Sequence, residues 1–290
     1  MYRLLYLFLV LLPIFYLCLE KFNSKFRART KILKNKSKLM FNSIRERSIQ
    51  GTPISELTLK TWDYKENGMD WVEFIQLISP IDIDTTSTIK QKNNNTLVFH
   101  SPNRPISMYG NNNGKAVYFM NTDNLVFCEY KKELYRFQEI NYHHSSEHSV
   151  NSISFDGEIQ LFHISKNDQI LIISLLVEYK EDCDSYFYDQ FFKNKFEDIP
   201  NFKLSSNISY PGTKKSFDFN KIFNEKLKDS NYYIYQGSLN VPAYVEQEVT
   251  WIICKDIIYI PTKLSNVDGL TNNSLEVKKN FKIPIIELTS

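Results

Sequence analysis

The feature that most constrains this chain is a series of short β-branched and aromatic runs, each closed by Asn, Gly, Asp, Ser or Pro. Beyond about residue 55 they follow one another as NTLVFHS, KAVYFM, NLVFCEY, ELYRFQEINYH, GEIQLFHIS, QILIISLLVEY and VTWIICKDIIYIP. Branched and aromatic side chains pack well on a pleated surface, and the closing residues suit turns, so each run reads as a strand. Helical patterning is confined to YFYDQFFKNKF (Tyr186–Phe196) and to DFNKIFNEKL, shortly after Ser216. No internal repeat is visible. The expected fold class is mainly β (α+β): a large central sheet with a few short surface helices, in one domain from residue 56 to residue 290.

With 290 residues, 42% of them hydrophobic and 14% aromatic, the chain can bury a substantial core. A net charge of +2 gives no polyelectrolyte character, and no RNA-binding or helix-turn-helix pattern appears, so a nucleic-acid partner is not expected. Frequent Asn, Lys and Ile beside only 8 Gly fits codon bias towards A/T, so Asn-rich runs carry little meaning. The 4 cysteines (Cys18, Cys128, Cys183, Cys254) form no CxxC pair, which argues against a disulfide framework and a thiolate zinc site. Cys18 and Cys254 lie in apolar runs and read as membrane or core thiols.

The first 20 residues differ in kind. LLYLFLVLLPIFYLCL places 16 apolar residues after Arg3, and no A-x-A-like cleavage site follows. An uncleaved signal anchor over residues 1–20 is therefore expected, against a cleaved signal peptide or a buried helix. A basic linker, residues 21–55, comes next. The expected location is a membrane, through this single-pass segment; the secretory pathway or cell surface fits, and orientation is left open.

A polar constellation interrupts the apolar strands. Asn141 and His143 are two apart, so on a strand both face one way, and Glu158 and Gln160 repeat the pattern on the next strand. The intervening SEHSVNSISFD is long enough for a chain reversal, so the strands can lie side by side, with Glu147 and His148 close by. Polar groups on a covered sheet face need partners or a function.

These residues resemble an α-type carbonic anhydrase. WDYKENGMDW (Trp62–Trp71), ISPIDID (Ile78–Asp84), NNNGKAVYF, YRFQEINYH, SSEHSV, GEIQLFH and YIYQGSLNVPAYVEQEVTW resemble that family's motifs, in the family's order, over residues 62–251. The resemblance implies a central, largely antiparallel sheet of about ten strands, with a conical cleft whose floor holds zinc on three histidines. It places the ligand positions at Asn141, His143 and Gln160, of which only His143 is a histidine. It puts the hydroxide-orienting pair at Asn240 and Glu147, where the family has threonine and glutamate. Supporting residues around the ligands fall at Glu139, Glu158 and His148, with His163 a structural histidine. The small apolar CO2 pocket falls at Phe162, Ile172, Leu239, Val241, Val249 and Trp251. The cysteine of secreted members falls at Tyr244, and VEQEV carries an extra residue.

Amide oxygens are neutral and hard, better suited to calcium than to zinc. The short amide stands where the family uses a distal ring nitrogen and the long one where it uses a proximal nitrogen, which reverses the reach each position requires. His144 faces away from His143 and would serve only if the register slipped. The two amides can instead hydrogen-bond to each other, to His143 and to trapped water. The site is therefore expected to be a dismantled zinc centre without a cofactor. The chain then reads as a membrane-tethered, catalytically silent module with a protein or anionic-glycan ligand. The alternatives are an active carbonate dehydratase with an atypical zinc site, and a structural subunit of a membrane assembly. Basic pairs such as Lys214–Lys215 and the Lys278–Lys282 segment read as solvated surface.

Overall fold

The computed structural model describes residues 79–92, 97–112, 117–121, 123–183, 188–189, 192–193, 213–223, 227, 230–239, 248–261 and 283–289. In chain order the strands are β1 (Asp82–Ile83), β2 (Ile89–Lys92), β3 (Leu97–His100), β4 (Ile106–Asn112), β5 (Val117–Asn121), β6 (Phe127–Tyr130) and β7 (Glu133–His143). There follow β8 (Ser149–Val150), β9 (Ile153–Ser154), β10 (Gly157–Ser165), β11 (Ile170–Tyr179) and β12 (Thr213–Phe217). Helix α1 (Phe219–Ile222) precedes β13 (Tyr232–Gly237), β14 (Val249–Ile260) and β15 (Ile286–Thr289). The expected anchor, linker and domain boundary, with the Trp62–Trp71 motif, lie outside the described residues, as do Tyr244 and Lys278–Lys282. Among the described residues no helix is long and apolar enough to cross a membrane.

Each of the seven runs read as strands is a strand: β3, β5, β6, β7, β10, β11 and β14. They join a 12-stranded sheet in the order β12-β4-β5-β7-β10-β11-β14-β13-β15-β2, with β3 and β6 paired off this path beside β7. The expected strand number, about ten, fits the main path but omits the β3–β6 extension. Pairing is largely antiparallel, with β11–β14 and β15–β2 parallel. β1, β8 and β9 form a small separate sheet. The two outermost strands, β12 (TKKSF) and β2 (IKQK), carry lysines, which discourage further strand addition at an edge.

Helix is scarce, as expected. In α1, Asp218 caps the N-terminus by accepting from Lys221 N at 3.2 Å, and Phe219 and Ile222 are buried. Of the Tyr186–Phe196 segment, a turn is described in which the amides of Phe192 and Lys193 donate to Tyr188 O.

The middle of the sheet is covered on both faces, and every residue of β10 is buried. Alternation then sorts side chains by parity. Ile140, Tyr142, Ile159, Leu161, Leu171, Ile173 and Ile252 belong to the main apolar core. Residues of opposite parity, among them Asn141, His143, Glu158 and Gln160, project from the other face. Leu161, Ile173 and Ile252 lie side by side across β10, β11 and β14. Truncating the central member, Ile173→Ala, is expected to cost about 2–5 kcal/mol. Urea unfolding should show a lower midpoint at unchanged slope; a loss under about 1 kcal/mol would mean that this row does not anchor the core.

Candidate functional site

The pairing of β7 with β10 builds the floor of the site. It sets Gln160 directly opposite Asn141, Glu158 opposite His143 and Phe162 opposite Glu139. On β11, Ser174 lies beside Gln160 and Ile172 beside Phe162, and Trp251 of β14 continues the latter row. The sequence-derived residues thus come together on one face. Asn141 is 6% exposed and His143 3%, so neither has bulk water as its main partner.

The hydrogen bonds differ from the expected amide–amide pairing. Gln160 Nε2 donates to Glu147 Oε2 at 2.9 Å and to Glu158 Oε1 at 3.0 Å. Asn141 Nδ2 donates to Glu139 Oε1 at 3.3 Å. Asn141 Oδ1 is buried and has no partner among the described residues. Carboxylates are stronger acceptors than a neutral amide oxygen, so they take the N–H groups. Each amide therefore commits its nitrogen to a carboxylate and turns its oxygen away from it. His143 Nδ1 lies 3.6 Å from Glu147 Oε1.

Glu158 and His148 tie this floor to the rest of the sheet. Glu158 Oε2 accepts from the backbone amides of Glu147 (2.9 Å) and His148 (2.8 Å), and Oε1 accepts from Ser174 Oγ at 2.7 Å. His148 Nδ1 is 2.9 Å from Glu158 Oε1, and its Nε2 is 2.7 Å from the Tyr235 hydroxyl. Tyr235 in turn donates to Ser79 Oγ at 2.9 Å, which also accepts from Ser238 N at 3.2 Å. With its proton spent on Ser79, the Tyr235 hydroxyl turns its oxygen towards His148 Nε2. Burial pushes the Glu158 carboxyl upward, but the charge and hydrogen bonds of His148, with the Ser174 hydroxyl, outweigh it and hold it at about 2. Glu147 moves the other way: burial raises it, the neighbouring His143 offsets part of the rise, and the Glu158 charge adds to it.

Of the apolar pocket positions, Phe162, Ile172, Leu239, Val249 and Trp251 are buried. Trp251 Nε1 donates to Ser238 O at 2.9 Å, beside Leu239. Asn240 and Val241 lie outside the described residues. His163 is buried on the opposite face near Phe137, its Nδ1 2.9 Å from Leu161 O, and burial lowers it to about 4, so it is a neutral core residue. A register shift between Phe162 and His163 marks a bulge there. His144 faces Tyr179, with ring centroids 6.2 Å apart, away from the floor. Sequence reasoning missed Ser174, Tyr235 and Ser79. Ser174 was legible as the one serine inside the apolar run ILIISLLVEY; the other two connect only through the fold.

Comparison with known proteins accords with this fold. The family model for eukaryotic-type carbonic anhydrase matches residues 75–283. Carbonic anhydrase 1 of Mus musculus is 26% identical over 242 residues, covering 73% of this chain and 88% of that protein. Dioscorin dioA3 of Dioscorea japonica is 26% identical over 124 residues, 42% of this chain and 41% of that protein. Among solved structures, the α-carbonic anhydrase of Thermovibrio ammonificans complexed with the inhibitor sulfanilamide has a TM-score of 0.58 at 19% identity, covering 72% of this chain and 86% of that one. Dioscorin complexed with ascorbate has a TM-score of 0.58 at 20% identity, covering 74% and 87%. The chain belongs to the eukaryotic-type carbonic anhydrase family.

The zinc that membership implies does not fit the donors at these positions. Zinc sites use imidazole, thiolate and carboxylate. Here the positions supply one imidazole and two carboxamides, which can ligate only through neutral, hard oxygens. Among the described residues no group of three or more His, Cys, Asp or Glu side chains is arranged to hold a metal ion.

Glu158→Gln is expected to cost about 3–5 kcal/mol by removing the carboxylate on which five buried hydrogen bonds converge. The sign with pH is opposite for the two carboxylates. Glu158, depressed to about 2, stabilises the fold above its ordinary 4.5, and that contribution fades as pH falls from 4.5 towards 2. Glu147, raised above 4.5, favours the fold below that value and loses its contribution as pH rises. Thermal unfolding of Glu158→Gln from pH 6 to 2 should therefore show a flatter acid limb than the parent; an unchanged limb would refute the assignment.

Proposed function

We propose that this chain is a catalytically silent carbonic-anhydrase-like domain that acts as a binding module, tethered to a membrane through its N-terminal apolar run. The observation that carries the reading is the residue set on the floor, where Asn141 and Gln160 flank the single imidazole of His143. What remains at the three positions is one imidazole and two amide oxygens, too weak a set to make hydroxide at neutral pH on zinc. The dioscorin structure complexed with ascorbate supports the idea that this fold serves small molecules outside CO2 chemistry. A partner protein or anionic glycan on the domain surface fits the same role.

The competing reading, an active carbonate dehydratase, is favoured by the retention of Glu147 and Glu158 and by the buried row Phe162, Ile172 and Trp251. Metal analysis and a CO2-hydration assay on the purified chain separate the two. The expected result is substoichiometric zinc and no hydration above the uncatalysed rate. Stoichiometric zinc, with hydration lost on chelation, would overturn the proposal. The double variant Asn141→His, Gln160→His should gain zinc, because β7 and β10 already set these positions face to face.

A further inference from the structure

We infer that the floor of this site binds a small ammonium-type cation, the primary ammonium group of an amine, with Asn141 Oδ1 as its principal acceptor. The inference rests on the zinc-free reading above and names the ligand chemistry of the same site. Its first support is the unsatisfied acceptor. Asn141 is 94% buried (6% exposed), its nitrogen is held by Glu139, and its Oδ1 has no partner among the described residues. A buried acceptor left in that state is costly to the fold, so a donor arriving there is favoured.

The second support is charge. Glu139, Glu147 and Glu158 are all buried on or beside this floor, against the imidazoles of His143 and His148. His148 is already paired with Glu158. The neighbourhood of Asn141 Oδ1 therefore favours a positive ligand and disfavours an anion.

A bare metal ion satisfies these conditions less well. Calcium requires six to eight oxygen ligands at close range. Here the Glu158 carboxylate already serves five donors, and Glu139 and Glu147 hold amide nitrogens. An N–H donor asks only for a few acceptors at hydrogen-bond distance, and the buried, unpartnered Asn141 Oδ1 provides the first.

The test uses methylammonium against tetramethylammonium, which has the same charge but no N–H, at equal ionic strength on the full chain. The ceiling on binding energy per heavy atom for the smallest ligands puts methylammonium at a dissociation constant on the order of 10 mM. Thermal unfolding and calorimetry should show saturable stabilisation by methylammonium alone. Asn141→Leu should abolish the saturable component. Equal responses to the two cations, a preference for sodium or calcium, or binding retained in Asn141→Leu would overturn the inference. Should the leucine variant fail to fold, the tetramethylammonium control on the parent chain still decides it. Metal analysis keeps the two readings apart. A zinc-loaded chain refutes the silent module itself, whereas a zinc-free chain indifferent to methylammonium refutes only the ammonium site.

Discussion

Five hydrogen bonds converge on the carboxylate of Glu158, and the interior of the sheet is organised around them. Two come from successive backbone amides, of Glu147 and His148, and three from the side chains of His148, Gln160 and Ser174. A carboxylate offers about four lone-pair directions, so this one is saturated. The bonds join β10 to β11 and to the irregular segment before β8, and through His148 and Tyr235 they reach β13 and Ser79. A buried charge with so many donors is stable only where all of them are present, which makes the polar floor a cooperative unit.

That arrangement explains how two carboxamides fit into a floor lined by buried carboxylates. Gln160 takes its place by supplying N–H groups to Glu147 and Glu158, and Asn141 does the same for Glu139. The charged acceptors determine which end of each amide turns towards them. They remain satisfied with no imidazole at either position.

The sheet was legible in the sequence wherever burial forces a strand to be apolar. The run GEIQLFHIS is buried throughout and QILIISLLVEY nearly so, and both were readable. β12 and β2 were not, because an outermost strand can be as polar as TKKSF or IKQK. β13 (YYIYQG) was visible only as part of a motif, and β15, four residues long, gives too short a pattern to read. Period-two spacing placed Asn141, His143, Glu158 and Gln160 on one face correctly. It said nothing about which hydrogen bonds would form, since that depends on three carboxylates brought in from separate positions. The expectation that the amides would pair failed for that reason.

The parallel pairing of β11 with β14 carries a kinetic consequence. β5, β7, β10 and β11 lie close together in the chain and can zip up by short reversals. The strand that completes the centre begins at Val249, about seventy residues after Tyr179. A loop of that size must close before Trp251 meets Ile172, so much of the entropy is lost before that contact forms. Until then one side of β11 is an open, apolar edge, and the newly made chain is most prone to self-association in that interval.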